Sequence, residues 1–181
     1  MQSNDSWDDF NALLASTPSN PGLVGSYLPL EETCPAGLKG IFCSTEKPLF
    51  DHTPGEIIRT VTEGQFLGKA AAICKAGFIA KPDSKLIVVG GGSVNNTLVS
   101  LCCDIFGIDA YQASESSSIA AVGGAYISYA DVNGMDKLSR VISEKSDRLE
   151  FVCSPNKEKH EVYKTMSERY SELEKKQLSK M

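Results

Sequence analysis

Three consecutive glycines, Gly90-Gly91-Gly92, stand between an apolar run, Lys85-Leu86-Ile87-Val88-Val89, and a stretch of helical periodicity from Val94 to Phe106. Lacking Cβ, glycine takes backbone angles closed to other residues and lets a ligand approach its amides. A helix N-terminus just beyond offers unpaired N–H groups and partial positive charge, which suits phosphate. Ser93, Asn95 and Asn96 add hydrogen-bonding side chains at the same end. Two uses fit this arrangement: a cradle for a phosphorylated ligand, or tight packing of strand against helix. Spacing alone does not separate them. Two common nucleotide fingerprints fail. A P-loop needs a Lys that is absent here, and a dinucleotide fingerprint needs a third glycine where Asn95 stands. Glu115 follows the next strand, where a ribose-binding acid would sit in a dinucleotide fold.

No other constellation carries chemistry. Asp8, Asp9 and Asp104 read as capping and surface acids, and no acid pair is assigned to catalysis. The six cysteines, Cys34, Cys43, Cys74, Cys102, Cys103 and Cys153, include no C-x-x-C pair. His52 and His160 supply no zinc-like spacing, so no metal ligand is assigned. The cysteines read as free thiols of a reducing, cytoplasmic compartment, several of them small core residues.

The elements around the glycines can be read in order. Trp7, Phe10, Leu13 and Leu14 recur at helical spacing behind a Ser6 cap, and Ser-Thr-Pro-Ser-Asn-Pro-Gly then breaks the helix. Val24 to Leu30 and Gly40 to Cys43 are short β-prone runs. Thr53-Pro54-Gly55-Glu56 has the order of a capping box with Pro in the first turn. The helix it opens is expected to reach about Ala76. Gly64 and Gly68 lie on its inner face; each costs roughly 1 kcal/mol of helix propensity, which a close backbone approach would offset. Lys85 to Val89 is expected to be a buried strand, Val94 to Phe106 a helix ended by Gly107, and Asp109 to Gln112 a parallel strand, together a βαβ unit. Glu115 to Ser118 should cap a small-residue helix, Ile119 to Tyr129. Asp131 to Asp147 is amphipathic, and Ser154-Pro155 opens a last helix carrying Val162, Tyr163, Met166, Tyr170 and Leu173.

The 181 residues suit one domain, with 41% hydrophobic and 23% charged residues, the balance of a soluble globular chain. A net charge of −5 argues against non-specific binding to nucleic acid or anionic membrane. Lys and Glu interleave in the last helix, as on a solvated face. No apolar run reaches the length of a membrane span, and the polar, acidic N-terminus is no signal peptide.

The run Val88-Val89-Gly90-Gly91-Gly92-Ser93-Val94-Asn95 resembles the adenosine motif of the FGGY carbohydrate kinases. Ile57 to Lys69 resembles the helix before that motif, and Ile119 to Tyr126 the small-residue helix after it. Ser6-Trp7-Asp8-Asp9-Phe10, Glu63-Gly64-Gln65-Phe66 and the tail from Val162 to Glu174 resemble the eukaryotic-type xylulose kinase branch. The resemblance covers nearly the whole chain in order. It departs from the family pattern at Val89, where Thr is common, and at Gly92, where a small residue such as Ala is common.

This resemblance implies an α/β chain of the actin-like, ribonuclease H-like ATPase fold. Residues 1–155 would be the nucleotide-binding half of the kinase's C-terminal domain, and 156–181 a C-terminal helix packed on it or extending from it. Trp7 matches a residue whose indole meets adenine, Gly91 and Gly92 the backbone that passes the nucleotide, and Asn95 a side chain that binds it. The small faces at Gly64, Gly68, Gly123 and Gly124 read as close helix packing. The whole enzyme would transfer phosphate from ATP, with Mg²⁺, to the 5-hydroxyl of xylulose. The sugar site and catalytic Asp belong to an N-terminal domain preceding this segment, so the chain alone is expected to be inactive. Two alternatives stay open: a non-catalytic, self-associating module, and a kinase for ribulose, glycerol, gluconate or fuculose.

Overall fold

The computed structural model describes residues 7–113, 119–145 and 149–180. The caps read at Ser6 and at Glu115 to Ser118 lie outside the described residues. Helix α1 (Trp7–Ser16) buries Leu14. Strands β1 (Gly25–Leu28) and β2 (Gly40–Cys43) then pair antiparallel, with Gly25 opposite Cys43.

Helix α2 (Pro54–Lys75) begins where its sequence says it should. The Thr53 side chain accepts from the Glu56 backbone N–H, and the Glu56 carboxylate accepts from the Thr53 N–H at 3.0 Å. Its two inner glycines do have a packing reason. A Cβ on Gly64 would stand 1.9 Å from the Gly25 carbonyl oxygen, and one on Gly68 2.8 Å from the Tyr170 hydroxyl. These glycines let α2 lie against β1 and against the last helix.

The βαβ unit forms as read. Strand β3 (Leu86–Val88) runs parallel to β4 (Ala110–Ala113), joined by α3 (Asn96–Phe106). Gly107 ends α3 in the left-handed region at φ 66°. A third strand, β5 (Leu149–Cys153), adds antiparallel to β4, giving the order β3-β4-β5. The sequence reading missed β5, which is five residues long and depends on a distant partner. Phe151 meets Tyr111 edge-on at 5.7 Å across that pairing.

One expectation fails at β3. Among the described residues it pairs with β4 alone, Ile87 is 50% exposed, and the strand is an edge, not a buried core strand. A second fails at α4 (Ile119–Asn133): a Cβ on Gly123 or Gly124 would meet nothing within 4 Å, so neither packs closely among the described residues. Ile127 and Val132 on that helix are 74% and 82% exposed. Gly134, at φ 87°, turns the chain into α5 (Met135–Lys145).

Helix α6 (Lys157–Leu178) is capped by Asn156, which accepts from the Lys159 N–H, and not by Ser154. Tyr163, Met166 and Tyr170 of α6 share one core with Leu14, Val24, Leu67, Leu101 and Ile105. Its Lys and Glu residues are not all solvated: Glu174 is buried and pairs with Lys75 of α2.

Candidate functional site

The glycine turn is built on conformations only glycine holds well. Gly90 sits at φ 83°, ψ −174°, a region essentially closed to residues with a Cβ. Gly91 to Val94 follow as a single 3₁₀ turn. Among the described residues the packing explanation for the glycines finds no support: a Cβ at Gly91 would meet nothing within 4 Å, and one at Gly92 only Leu98 Cδ1, at 4.0 Å. Both glycines are exposed, so their backbone is open to a ligand.

Two side chains lock the turn from beneath. Buried Ser93 donates its hydroxyl to the Gly90 carbonyl at 2.8 Å. Gln112 on β4 donates to the Ser93 carbonyl and hydroxyl at 3.4 and 3.3 Å. Gln112 was not singled out by sequence; only its position one strand away from the turn could have pointed to it.

Asn95 is buried and fully engaged. Its Oδ1 accepts from the Thr97 and Leu98 N–H groups at 3.0 and 3.3 Å, capping α3. Its Nδ2 donates to Asn11 Oδ1 on α1 at 3.0 Å. Two of the helix N–H groups expected to face phosphate are thus taken internally. The glycine backbone remains exposed.

Trp7 stands on the first turn of α1, one turn before Asn11. The indole is 50% exposed, so it is not a core residue. Phe10 meets it edge-on at 5.6 Å and packs against the core behind. Residues four apart share a helix face, so the Asn11–Asn95 bond puts the Trp7 face of α1 beside the start of α3. Sequence reading brought Trp7, Gly91, Gly92 and Asn95 to attention but not Asn11, which joins the two groups.

Beneath α1 lies a buried polar knot. Glu63 Oε1 accepts from Arg59 at 3.0 Å, Ser19 at 2.7 Å and Tyr163 at 2.9 Å. Arg59 also donates to the Leu14 carbonyl. Burial, then the Glu63 carboxylate, push the Tyr163 phenol well above its ordinary value. The knot ties α1, α2 and α6 together, and its Ser19, Arg59 and Tyr163 line a cavity of about 690 Å³ between these helices and α3. Asp104, read as a surface acid, is buried; it accepts from the Asn156 N–H at 2.7 Å and so fixes the start of α6. An apolar groove of about 650 Å³ opens at the free edge of β3, walled by Phe66, Ile73, Val89, Leu98 and Phe106.

Residues 2–130 match the model of the FGGY family of carbohydrate kinases, C-terminal domain. The chain is similar to the xylulose kinase of Rattus norvegicus, 29% identical over 178 residues, which cover 97% of this chain and 33% of that protein. It is similar to xylulose kinase 2 of Arabidopsis thaliana, 33% identical over 135 residues, covering 64% of this chain and 24% of that one. Among solved structures, a ligand-bound xylulose kinase from Lactobacillus acidophilus superposes with a TM-score of 0.72 at 18% identity, over 94% of this chain and 34% of that one. Gluconate kinase from the same organism gives 0.70 at 17% identity, over 94% and 34%. The structural likeness establishes the fold, an α/β chain of the actin-like ATPase type. The chain spans about a third of the length of the curated relatives it matches. α6 lies beyond the family-matched residues yet supplies much of their core. By its matched residues and its fold, this chain belongs to the FGGY family of carbohydrate kinases, as a C-terminal domain of that family.

Proposed function

We propose that this chain forms the adenine-nucleotide half of a sugar kinase that phosphorylates xylulose. The observation that carries the reading is the open backbone of Gly91 and Gly92, with no packing role. The half-exposed Trp7 indole, on the helix that Asn11 ties to Asn95, supplies a flat apolar face suited to stacking on adenine. Asn95 acts here by shaping the turn and the start of α3. Xylulose is favoured by the names of the relatives; the gluconate kinase likeness shows that the fold alone does not choose the sugar.

In the whole enzyme, phosphoryl transfer runs from ATP to the 5-hydroxyl of xylulose, and a carboxylate outside the residues assigned here takes the hydroxyl proton. Mg²⁺ needs oxygen ligands, commonly carboxylates. No residue from Gly90 to Asn96 carries one, so this turn offers a metal only hydroxyl, amide and backbone oxygens. We expect the 181-residue chain by itself to bind nucleotide weakly and not to turn over, since it spans about a third of its relatives' length and no acid pair in it is assigned to catalysis. Sugar-dependent ADP release from the pure chain would overturn that statement.

Calorimetric titration with ADP tests the half-site. Gly91→Val places a side chain in open space at a backbone angle that tolerates one, so the fold should hold while the nucleotide is blocked. Loss of ADP binding in Gly91→Val and in Trp7→Ala supports the reading. Unchanged binding in both sinks it.

A second reading, self-association, has its own observations: the unpaired edge of β3, the groove beside it and the exposed apolar face of α4. Exposed apolar surface of this kind favours association. Sedimentation across a wide concentration range would show growing mass, and a constant monomer would reject it.

A further inference from the structure

We infer that Asn11 is a positioning residue for the nucleotide half-site, holding the Trp7 helix in register with the glycine turn. The inference rests on the half-site reading and names a residue that reading does not require.

Three observations carry it. Asn11 Oδ1 accepts from Asn95 Nδ2 at 3.0 Å, across 84 residues of sequence. Asn95 has no freedom to follow α1, because its other side-chain atom is committed to the Thr97 and Leu98 N–H groups. Asn11 thus bonds to a fixed point on the framework of the turn. Trp7 lies one helical turn away on the same face, with half its surface open. A rotation or slide of α1 would move the indole and break this bond together.

The amide fits the task chemically. A buried donor such as Asn95 Nδ2 needs a partner, and leaving it unpaired is costly. An apolar residue at position 11 would give it none. An acceptor at that position is what the geometry requires, so Asp should substitute where Ala should not. The other supports of α1 are apolar or distant: Phe10 packs against the core and edge-on to Trp7, while Leu14 and the Arg59 bond to its carbonyl lie at the far end of the helix. Among the hydrogen bonds described for α1, the one from Asn95 to Asn11 is the bond that ties it directly to the turn's framework.

Trp7 is the sole tryptophan of the chain, so its fluorescence reports this site alone. The experiment compares wild type, Asn11→Ala and Asn11→Asp. It records Trp7 emission anisotropy without nucleotide, quenching by ADP, and thermal unfolding. Expected is a lower anisotropy and a roughly three- to tenfold weaker ADP affinity in Asn11→Ala, the size of one lost hydrogen bond. Asn11→Asp should restore the anisotropy. A merely structural role would lower the unfolding temperature and leave the anisotropy of the folded protein alone. Unchanged anisotropy and ADP affinity in Asn11→Ala would overturn the inference and leave the half-site reading standing. Absence of any ADP response in wild type would overturn the half-site reading, and a positioning role with it. If Asn11→Ala does not fold, Asn11→Asp still decides: a folded Asp variant with mobile Trp7 would refute the acceptor role.

Discussion

Adding one methyl group to α2 should destabilise the chain, although alanine is the better helix former. At Gly64 the new Cβ would lie 1.9 Å from the Gly25 carbonyl oxygen and 3.0 Å from its carbon. A carbon needs about 3.3 Å from an oxygen, so α2 and β1 must part by roughly 1.4 Å. The obstacle is backbone, so no rotamer change relieves it. Overpacking of this kind costs about 1–3 kcal/mol, and the upper end applies because Leu67 and Val24 lose contact in the same opening. Against it stands a propensity gain of roughly 1 kcal/mol for alanine over glycine. The balance is a loss of about 2 kcal/mol, or an unfolding temperature lower by roughly 4–8 °C for a chain of this size. Gly124→Ala is the matched control, with nothing within 4 Å of its added Cβ. It should gain roughly 1 kcal/mol and rise by about 2–4 °C. Urea and thermal unfolding followed by circular dichroism measure both. Gly64→Ala at or above wild-type stability would refute the close-approach reasoning.

Other expectations follow from the same structure. Glu63→Ala leaves the partly buried Arg59 without its carboxylate and strips Ser19 and Tyr163 of a partner; urea unfolding should show a loss of about 3–5 kcal/mol. Thr53→Ala removes one half of the capping box on α2 and should cost about 1 kcal/mol by the same measurement. Burial pushes the Cys102 thiol up to about 11 from 9.0, and Cys103 up to about 12. The folded chain keeps these protons after the unfolded chain releases them, so stability is whole below about pH 9 and falls as pH rises toward 12. A urea midpoint that stays flat from about pH 8 to pH 11 would contradict this. In the native protein a maleimide should modify exposed Cys34 and Cys74 while Cys102 and Cys103 stay protected until unfolding, as peptide mapping would show.

Local order was written plainly in the residues. The capping box at Thr53 and Glu56, the glycine stop at Gly107 and the parallel β3-α3-β4 unit each depend on neighbours a few residues apart. Their energetics are complete within one turn or one crossover, so a linear reading reaches them. The glycine turn belongs here too, because Gly90 needs its special backbone angle wherever the chain goes next. What distance decided was different in kind. β5 exists because β4 offers it an edge, and five residues carry too weak a signal alone. β3 looked like core by composition, yet burial depends on how many neighbours a strand has, and it has one. Gly64 and Gly123 are the same residue in two helices, one pressed on a carbonyl and one facing open space. Asp104 and Glu174 read as surface acids until α6 folded back and gave each a partner. Asn95 was legible as a polar group at a helix start, but its bond to Asn11 spans 84 positions. Residue types and spacing determined the elements, the turn and the family likeness. Only the tertiary fold, by bringing distant polar groups to hydrogen-bonding distance and leaving some apolar faces bare, decided which polar residues are buried in pairs, which glycines are pressed by neighbours and which stand open.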